Sequence, residues 1–481
     1  TGLGDTVFAA LTSGDNNVGI GTDSLKGLTT GGGNTALGKE ALTANTTANF
    51  NTGLGYQALE TNTTGARNTG VGADALFANT TADNNTAVGT VALAANTTGT
   101  RNVAVGALAL DANTTGNDNV AVGGGTDGVS FAALTSNTTG AANTAIGNSA
   151  LAANTTADNN TAVGYAALLD NTTGTNNTAI GRDALKANTT GGYSVVVGYQ
   201  ALDANTTGGS NTAIGYNTLG ANTTASNNTA IGSNALKLNT TGTRNTAIGV
   251  SAMQSVTTGG YNDAHGSTAL ADLTTGDRNV GVGYGALANC TTGDDNVGIG
   301  VYAGFDITTA SDNTIVGNYA GQNITTGANN IIMGYTAGND LTEGSSNTLV
   351  GPRTGQNITT ASNNTAMGVD AMEDSTTAAD NTCIGSNAGA NLTSGSNNLL
   401  LGKQAGKSGM PGGQFTSHSN RVTLGNSSIQ EFNCQVALSV ASDERDKTDF
   451  TDLDIGLDFV KQMKPYTYKW DKRSNYVDWT A

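Results

Sequence analysis

Few side chains in this 481-residue sequence can do chemistry, and most that can recur at a fixed spacing. Asn-Thr-Thr occurs twelve times, from Asn45 to Asn239. Each triplet matches the acceptor pattern for N-glycosylation. Each also suits a ladder of buried amides hydrogen-bonded from one repeat to the next, and that single arrangement accounts for all twelve. The ladder is the expected reading, and a glycan-coated extracellular filament is the alternative. His265 stands where other repeats carry an aliphatic residue. A metal bound across copies of the chain is conceivable there, but a tolerated core substitution is the simpler expectation. Cys290 and Cys383 fall at positions held elsewhere by small or aliphatic residues, so buried thiols are expected rather than a disulfide or metal site. Acids such as Asp111, Asp170 and Asp203 are scattered singly, whereas glycoside cleavage needs a pair. No metal or cofactor is expected, and no enzyme activity in the array.

These residues are positioned by a repeat. Asn143 to Asn159 reads NTAIGNSALAANTTADN, and the next units begin at Asn160 and Asn177, a step of 17. Numbering each unit from its first Asn as position 0, position 4 is Gly in every unit from Gly4 to Gly425. The step is broken twice, by seven residues between Gly123 and Ala133 and by six between Ala405 and Arg421. Positions 1 to 4, typically Thr-Ala-Ile-Gly, predict a short strand ending in a Gly with positive φ or a close backbone neighbour. Positions 7 and 8, usually Ala-Leu, predict a second short strand. Two strands and two turns in 17 residues fit one coil of a parallel β-solenoid, with like residues stacked about 4.8 Å apart. The first insertion is expected to interrupt the stack as a loop, with Phe131 as a contact point. The second, with Pro411 and His418, looks like the end of the shaft.

The units also test one another. Wherever position 11 is Asn, position 8 is Leu. From Val256 onward position 11 becomes mainly aliphatic, as at Leu273, Ile307, Ile324, Leu341, Ile358 and Leu392. In five of those later units position 8 is Gly (Gly304, Gly321, Gly338, Gly355, Gly389), and position 2 grows to Ile315, Ile332 and Leu349. Positions 2, 8 and 11 therefore share interior volume, with position 11 facing inward and the core repacked from about residue 296.

Composition narrows the class. A net charge of −17 argues against nucleic acid or an anionic membrane as partner. No segment has the apolar length to span a bilayer, so no membrane insertion is expected. Gly 68 with Pro 3 excludes collagen. Thr1 to Gly4 are positions 1 to 4 of a unit, so the array is expected to continue upstream.

From Ser442 the composition changes: seven of the 20 Lys and Arg and both Trp lie there. Thr451 to Asp454 suggests a helix start, with Ile455, Phe459 and Met463 on one face, then Pro465 and the alternating Tyr466, Tyr468 and Trp470. This is the beginning of an α+β domain that stops at Ala481. Ser442-Asp-Glu-Arg-Asp-Lys447, Asp454-Ile-Gly-Leu-Asp-Phe-Val and Pro465-Tyr-Thr-Tyr-Lys-Trp470 resemble the start of the C-terminal intramolecular chaperone of phage tail fibres and endosialidases. Phe450 departs from that family's usual aliphatic residue. The resemblance implies a domain that trimerises its fibre and releases itself by cutting before Ser442, with Ser442 as nucleophile and Lys447 as base. The array resembles repeat regions of phage tail-fibre proteins and, more loosely, the heads of bacterial trimeric adhesins.

The expected fold is therefore all-β: a parallel β-solenoid shaft over residues 1–406, trimeric, a connector over 407–441, and the start of the chaperone over 442–481. The resemblance implies a structural and adhesive tail-fibre shaft, extracellular on the virion, with itself, the virion tail or baseplate and a host receptor (glycan or surface protein) as partners. A bacterial trimeric adhesin or glycosylated filament is the alternative. Small residues at positions 2 and 4 are expected to let the three chains approach closely.

Overall fold

The computed structural model describes residues 1–125, 131–407, 413–433 and 435. The chain divides into two units, Thr1–Ser428 and Ile429–Ala481, of which the first is the array. Ser442 and Lys447 lie outside the described residues.

Each unit forms one coil carrying one strand. The strands run from β1 (Gly2–Leu3) and β2 (Val18–Ile20) to β24 (Leu399–Leu401) and β25 (Val422–Leu424). Each pairs in parallel with its neighbours in sequence, so Ala162 lies between Ala145 and Ala179, and Val163 between Ile146 and Ile180. The sequence expectation of a parallel β-solenoid of 17-residue coils holds.

The expected second strand does not form. Positions 5 to 10 are a chain of turns in which positions 6 and 8 are left-handed, as at Ser149 (φ 61°) and Leu151 (φ 51°). The Ala150 amide donates to the Gly147 carbonyl at 3.2 Å and the Asn154 amide to Leu151 at 3.1 Å, closing successive turns. The stretch still stacks like a strand: the Leu151 amide donates to Ala167 and the Ala153 amide to Leu169 in the next coil, both at 3.0 Å. A left-handed Leu is costly on its own. Here burial of the side chain and the coil-to-coil hydrogen bond offset that cost; a fully buried Leu contributes about 1.5–3 kcal/mol.

The core is a column inside the coil. Position 2 (Ala145, Ala162, Ala179), position 7 and position 8 (Leu151, Leu168, Leu185) are wholly buried. So are the position 11 residues, from Leu28 through Asn154 to Ile358 and Leu392, as expected. The volume trade is also visible atom by atom. A Cβ added to Gly304 would lie 2.9 Å from Ile315 Cδ1 and 3.1 Å from Ile307 Cδ1, the enlarged residues at positions 2 and 11. At Gly321 the corresponding neighbour is Ile324 Cδ1 at 2.8 Å. Gly at position 8 also removes the left-handed strain, since these glycines keep φ near 50–62°.

Position 4 is closed to any side chain for two reasons. Gly147 has φ 131°, and a Cβ there would sit 2.6 Å from the Gly164 carbonyl oxygen of the next coil. The small residues at positions 2 and 4 are thus used inside one chain, position 2 in its own core and position 4 in its own stacking. Position 2, as at Ala145 and Ala162, is wholly buried in its own core and is not on a face that another chain could approach.

Neither insertion breaks the stack. β8 (Val120–Val122) pairs in register with β9 (Thr144–Ile146), and Asn143 N–H donates to Asn119 Oδ1 at 3.0 Å across 24 residues. After the second insertion, β24 pairs with β25 and the Arg421 amide donates to Asn398 Oδ1 at 3.1 Å. Phe415, 4% exposed, closes the core column there, with the Arg421 guanidinium 5.3 Å from its ring centre. Stacking therefore extends beyond residue 406.

Gly147→Ala should destabilise the array by about 3 kcal/mol or more, because both φ and the backbone contact forbid the methyl. Gly220→Ala, whose added methyl is crowded only by the movable Asn217 side chain, the Asn217 carbonyl oxygen being at an ordinary 3.6 Å, should change stability by less than about 0.5 kcal/mol. Urea unfolding followed by circular dichroism compares the two.

Candidate functional site

The asparagines form the first candidate surface, and the structure turns them inward. Asn154 Nδ2 donates to Asn137 Oδ1 at 2.8 Å, and Asn171 Nδ2 to Asn154 Oδ1 at 3.1 Å. The series is unbroken from Asn45 to Asn239, every rung fully buried. An amide without solvent contact in the folded coil cannot carry a glycan, so the glycosylated-filament alternative loses these twelve sites. The ladder starts above Leu28 and ends below Val256, and Asn239 Oδ1 at its end has no partner among the described residues.

A second ladder is not signalled by the sequence, because its residue hardly varies. Position 0 is buried Asn from Asn17 to Asn398, with Ser194 the substitute. The Asn160 amide donates to Asn143 Oδ1 at 3.0 Å, and Asn160 Nδ2 to the Gly174 carbonyl at 2.9 Å. Position 14 joins the two ladders: the Ala157 carbonyl accepts from Asn143 Nδ2 at 2.8 Å and from Asn154 Nδ2 at 3.1 Å. Ser194 keeps the chain of bonds, donating its amide to Asn177 Oδ1 and accepting from the Asn211 amide at 3.3 Å. The Thr of position 12 adds a hydroxyl ladder, as in Thr138 Oγ1 to the Thr155 carbonyl at 3.0 Å.

The thiols are buried as expected. Cys290 stands in place of a position 11 Asn, and its Sγ lies 3.8 Å from the Gly293 carbonyl, the oxygen such an Asn would bind. Burial pushes the Cys290 thiol up to about 11 and the Cys383 thiol up to about 12. Both are poor nucleophiles.

His265 is not a core substitution. Position 3 points outward, and His265 Nε2 lies 2.8 Å from Asp263 Oδ1 on the exposed face of β16 (Asp263–His265). No group of three or more His, Cys, Asp or Glu able to hold a metal occurs among the described residues.

Asp111, Asp170 and Asp203 lie in separate coils. Asp111 accepts from Thr135 Oγ1 at 2.9 Å, and burial raises both its carboxyl and that of Asp203 above the ordinary range. Asp170 lines a pocket of about 230 Å³ with Phe131, Ser136, Ala152, Ala153 and Leu169, and it is the only acid among the described residues there. Phe131 itself is 63% exposed.

Position 3 carries a feature that alternation alone did not reveal. Ile146, Ile180, Ile214, Ile248, Ile299 and Ile384 are each 36–40% exposed, and the aliphatic row runs from Leu3 to Leu424 with His265 its only break. Position 1 beside it is Thr, Val, Ile or Leu in every coil except at Asp263. One sheet face of the array is thus an uncharged, β-branched stripe exposed to solvent.

Comparison with known families bears on the C-terminal end. Residues 442–479 match the family described as chaperone of endosialidase. This agrees with the motif resemblance, and it points to a protein of phage tail-fibre or endosialidase type with a β-solenoid shaft, in a family that implies self-cleavage. No curated protein matches the chain.

Asn154→Val should cost about 2 kcal/mol more than Asn239→Val, although Val is native at position 11 in Val256. The first opens the ladder in its middle; the second moves an existing orphan one coil down. Urea denaturation of each variant provides the comparison. In a Cys434→Ser background, neither remaining thiol should react with a maleimide at pH 8 until denaturant is added. Because their folded values are raised, their contribution to stability is complete below the ordinary thiol value of 9.0 and is lost as pH rises toward about 11–12. A thermal midpoint that stays level from pH 9 to 11 would contradict this.

Proposed function

We propose that this chain is the shaft of a trimeric, extracellular phage tail fibre, holding a host-contacting surface away from the virion and assembled by its C-terminal chaperone. The observation that supports it most is the exposed aliphatic stripe of positions 1 and 3. A stripe three residues wide over about two dozen coils offers on the order of 1,100 Å² per chain, above the roughly 800 Å² per partner of a stable interface. A parallel neighbour with the same coil-to-coil rise matches it rung for rung, and a second copy of this chain supplies one that carries the same stripe. Three copies around an axis bury the stripe from all sides and present three of every surface site, so weak contacts add as avidity.

The chaperone segment supplies the second half of the reading. Ser442 Oγ attacks the carbonyl carbon of Ala441 while Lys447 takes the hydroxyl proton; the Ala441–Ser442 C–N bond then breaks, and its nitrogen leaves as the Ser442 amine with the proton returned by Lys447. Water then opens the resulting ester, leaving a shaft that ends at Ala441. A Lys does this only where its neighbours lower its proton affinity.

Light scattering should give three chains for the native protein. Ile180→Lys, Ile214→Lys and Ile248→Lys combined should give single chains with an unchanged circular dichroism spectrum, since position 3 lies outside the coil. A single-chain mass for the unaltered protein would overturn the trimer. Mass spectrometry should find a product ending at Ala441, lost in Ser442→Ala and Lys447→Ala.

A further inference from the structure

The coils that start at Asn279, Asn296, Asn313 and Asn330 carry a surface unlike the rest. Five aromatic rings cluster there in a chain with only 13 Tyr, 9 Phe and 2 Trp. Tyr302 packs edge-on against Tyr284 (5.2 Å between ring centres, 80°) and Phe305 (4.9 Å, 88°). It lies 5.8 Å from Tyr319, which in turn stands 6.4 Å from Tyr335 at 90°. Tyr284 and Tyr335 are at least half exposed, and Tyr319 is 36% exposed. The cluster is seated on a gap in the coil below: a Cβ on Gly285 would come within 2.8 Å of the Tyr302 ring. Gly285 keeps φ 62°, where most coils have a side chain.

Polar groups border these rings in the same coils. Asn339 Nδ2 donates to the Tyr319 carbonyl at 3.1 Å and reaches Gln322 Oε1 at 3.3 Å, so the column holding Phe305 continues as amides. One position further along the coil, Asn289 Nδ2 donates to Asp306 Oδ1 at 2.8 Å and Asn323 Nδ2 to Asp340 Oδ1 at 3.3 Å. Charge is one-sided. From Asn279 to Pro352 there is no Lys, Arg or His, against six acids: Asp294, Asp295, Asp306, Asp312, Asp340 and Glu343.

We infer that this patch binds a neutral saccharide chain, stacked on the Tyr302–Tyr319 row with its hydroxyls met by the Gln322, Asn339 and Asp340 side chains. The C–H face of a pyranose ring is weakly electropositive and apolar, and it sits on the negative face of an aromatic ring. Its in-plane hydroxyls both donate and accept, so amides and carboxylates beside the rings are their natural partners. Coils rise by about 4.8 Å, comparable to the length of one sugar residue, so a chain lying along the array meets the surface in step. Six carboxylates, of which only Asp295 is paired with a cation (Arg278 of the preceding coil), repel an acidic glycan, phosphate or sulfate. The position 5 row of Tyr165, Arg182, Tyr199 and Tyr216 is no equivalent, because the Arg182 guanidinium already covers Tyr165 and Tyr199 at 5.6 and 5.8 Å.

The inference deepens the adhesive half of the reading above and rests on it. Binding of the full chain to cellohexaose, maltohexaose, mannohexaose and chitohexaose can be measured by calorimetry, with oligosialic acid and heparin as anionic probes. At least one neutral probe should bind, and Tyr302→Ala and Tyr319→Ala should each weaken it about tenfold. Tyr193→Ala, on an exposed ring far along the array, should leave it unchanged. Binding of the anionic probes alone, of no probe, or equally well by the Tyr302 and Tyr319 variants overturns the saccharide site. Retention of a protein partner through these rings without any saccharide binding does so too. A trimeric, self-cleaving chain that binds none of the probes sinks this inference and leaves the fibre; a single-chain mass sinks the fibre.

Discussion

A coil of 17 residues has almost no interior, and every backbone amide and carbonyl that turns inward must find a partner there. The carbonyl at position 14 shows how this chain meets that demand. In the coil of Ala157 it accepts two hydrogen bonds, from Asn143 and from Asn154. The same two asparagines also bond to the coils above and below. One buried side chain thus closes its own coil and joins it to its neighbours. An unmatched amide at such a site costs about 1–3 kcal/mol, and the error would repeat with every coil. That is why position 0 stays Asn from Asn17 to Asn398 while the hydrophobic residues around it change. Ser194 shows the tolerance: it keeps an acceptor for the next amide, at the longer distance of 3.3 Å.

Position 11 follows a different logic. Its Asn is satisfied only if the coil below also offers Asn, so the ladder must run as a block. It ends once, at Asn239, leaving a single unpartnered oxygen. Beyond it the core is aliphatic, and Gly at position 8 makes room for the Ile at positions 2 and 11. Exchanging an amide ladder for hydrocarbon in one step confines the mismatch to one boundary. Several alternations would create a new orphan at each.

Much of this architecture was legible in residue types. The invariant Gly at position 4, the inward Asn of position 11 and the shared volume of positions 2, 8 and 11 could be read by comparing units within one chain. The single strand per coil could not, because Ala-Leu at positions 7 and 8 is equally at home in a strand. Nothing in Leu151 announces that it sits at φ 51°. Position 0 escaped for the opposite reason: a residue that hardly varies offers no covariation from which to infer its neighbours. The outward turn of position 3 was hidden by its own chemistry, since Ile and Val read as core wherever strands alternate. For the C-terminal site the motif around Ser442 and Lys447 was enough to find the family that residues 442–479 match.

Strict interior hydrogen bonding has a consequence for the exterior. Once positions 0, 4 and 14 hold the coil, the side chains of positions 5, 6, 9, 10 and 16 are free to vary, and the sequence uses that freedom unevenly. Three of the surface pairs in the array are Arg–Asp bridges one coil apart, at Arg101–Asp118, Arg278–Asp295 and Arg353–Asp370. Between the last two lies the stretch that holds no cation and gathers the tyrosines. The stripe of positions 1 and 3, by contrast, stays uniform for the length of the array except at the Asp263–His265 rung. A face that is the same in every coil suits a partner of the same period, and a face that differs over four coils suits a ligand of that length. On the reading proposed above, the uniform stripe is where copies of the chain meet, and the departure from it over four coils is where a saccharide binds.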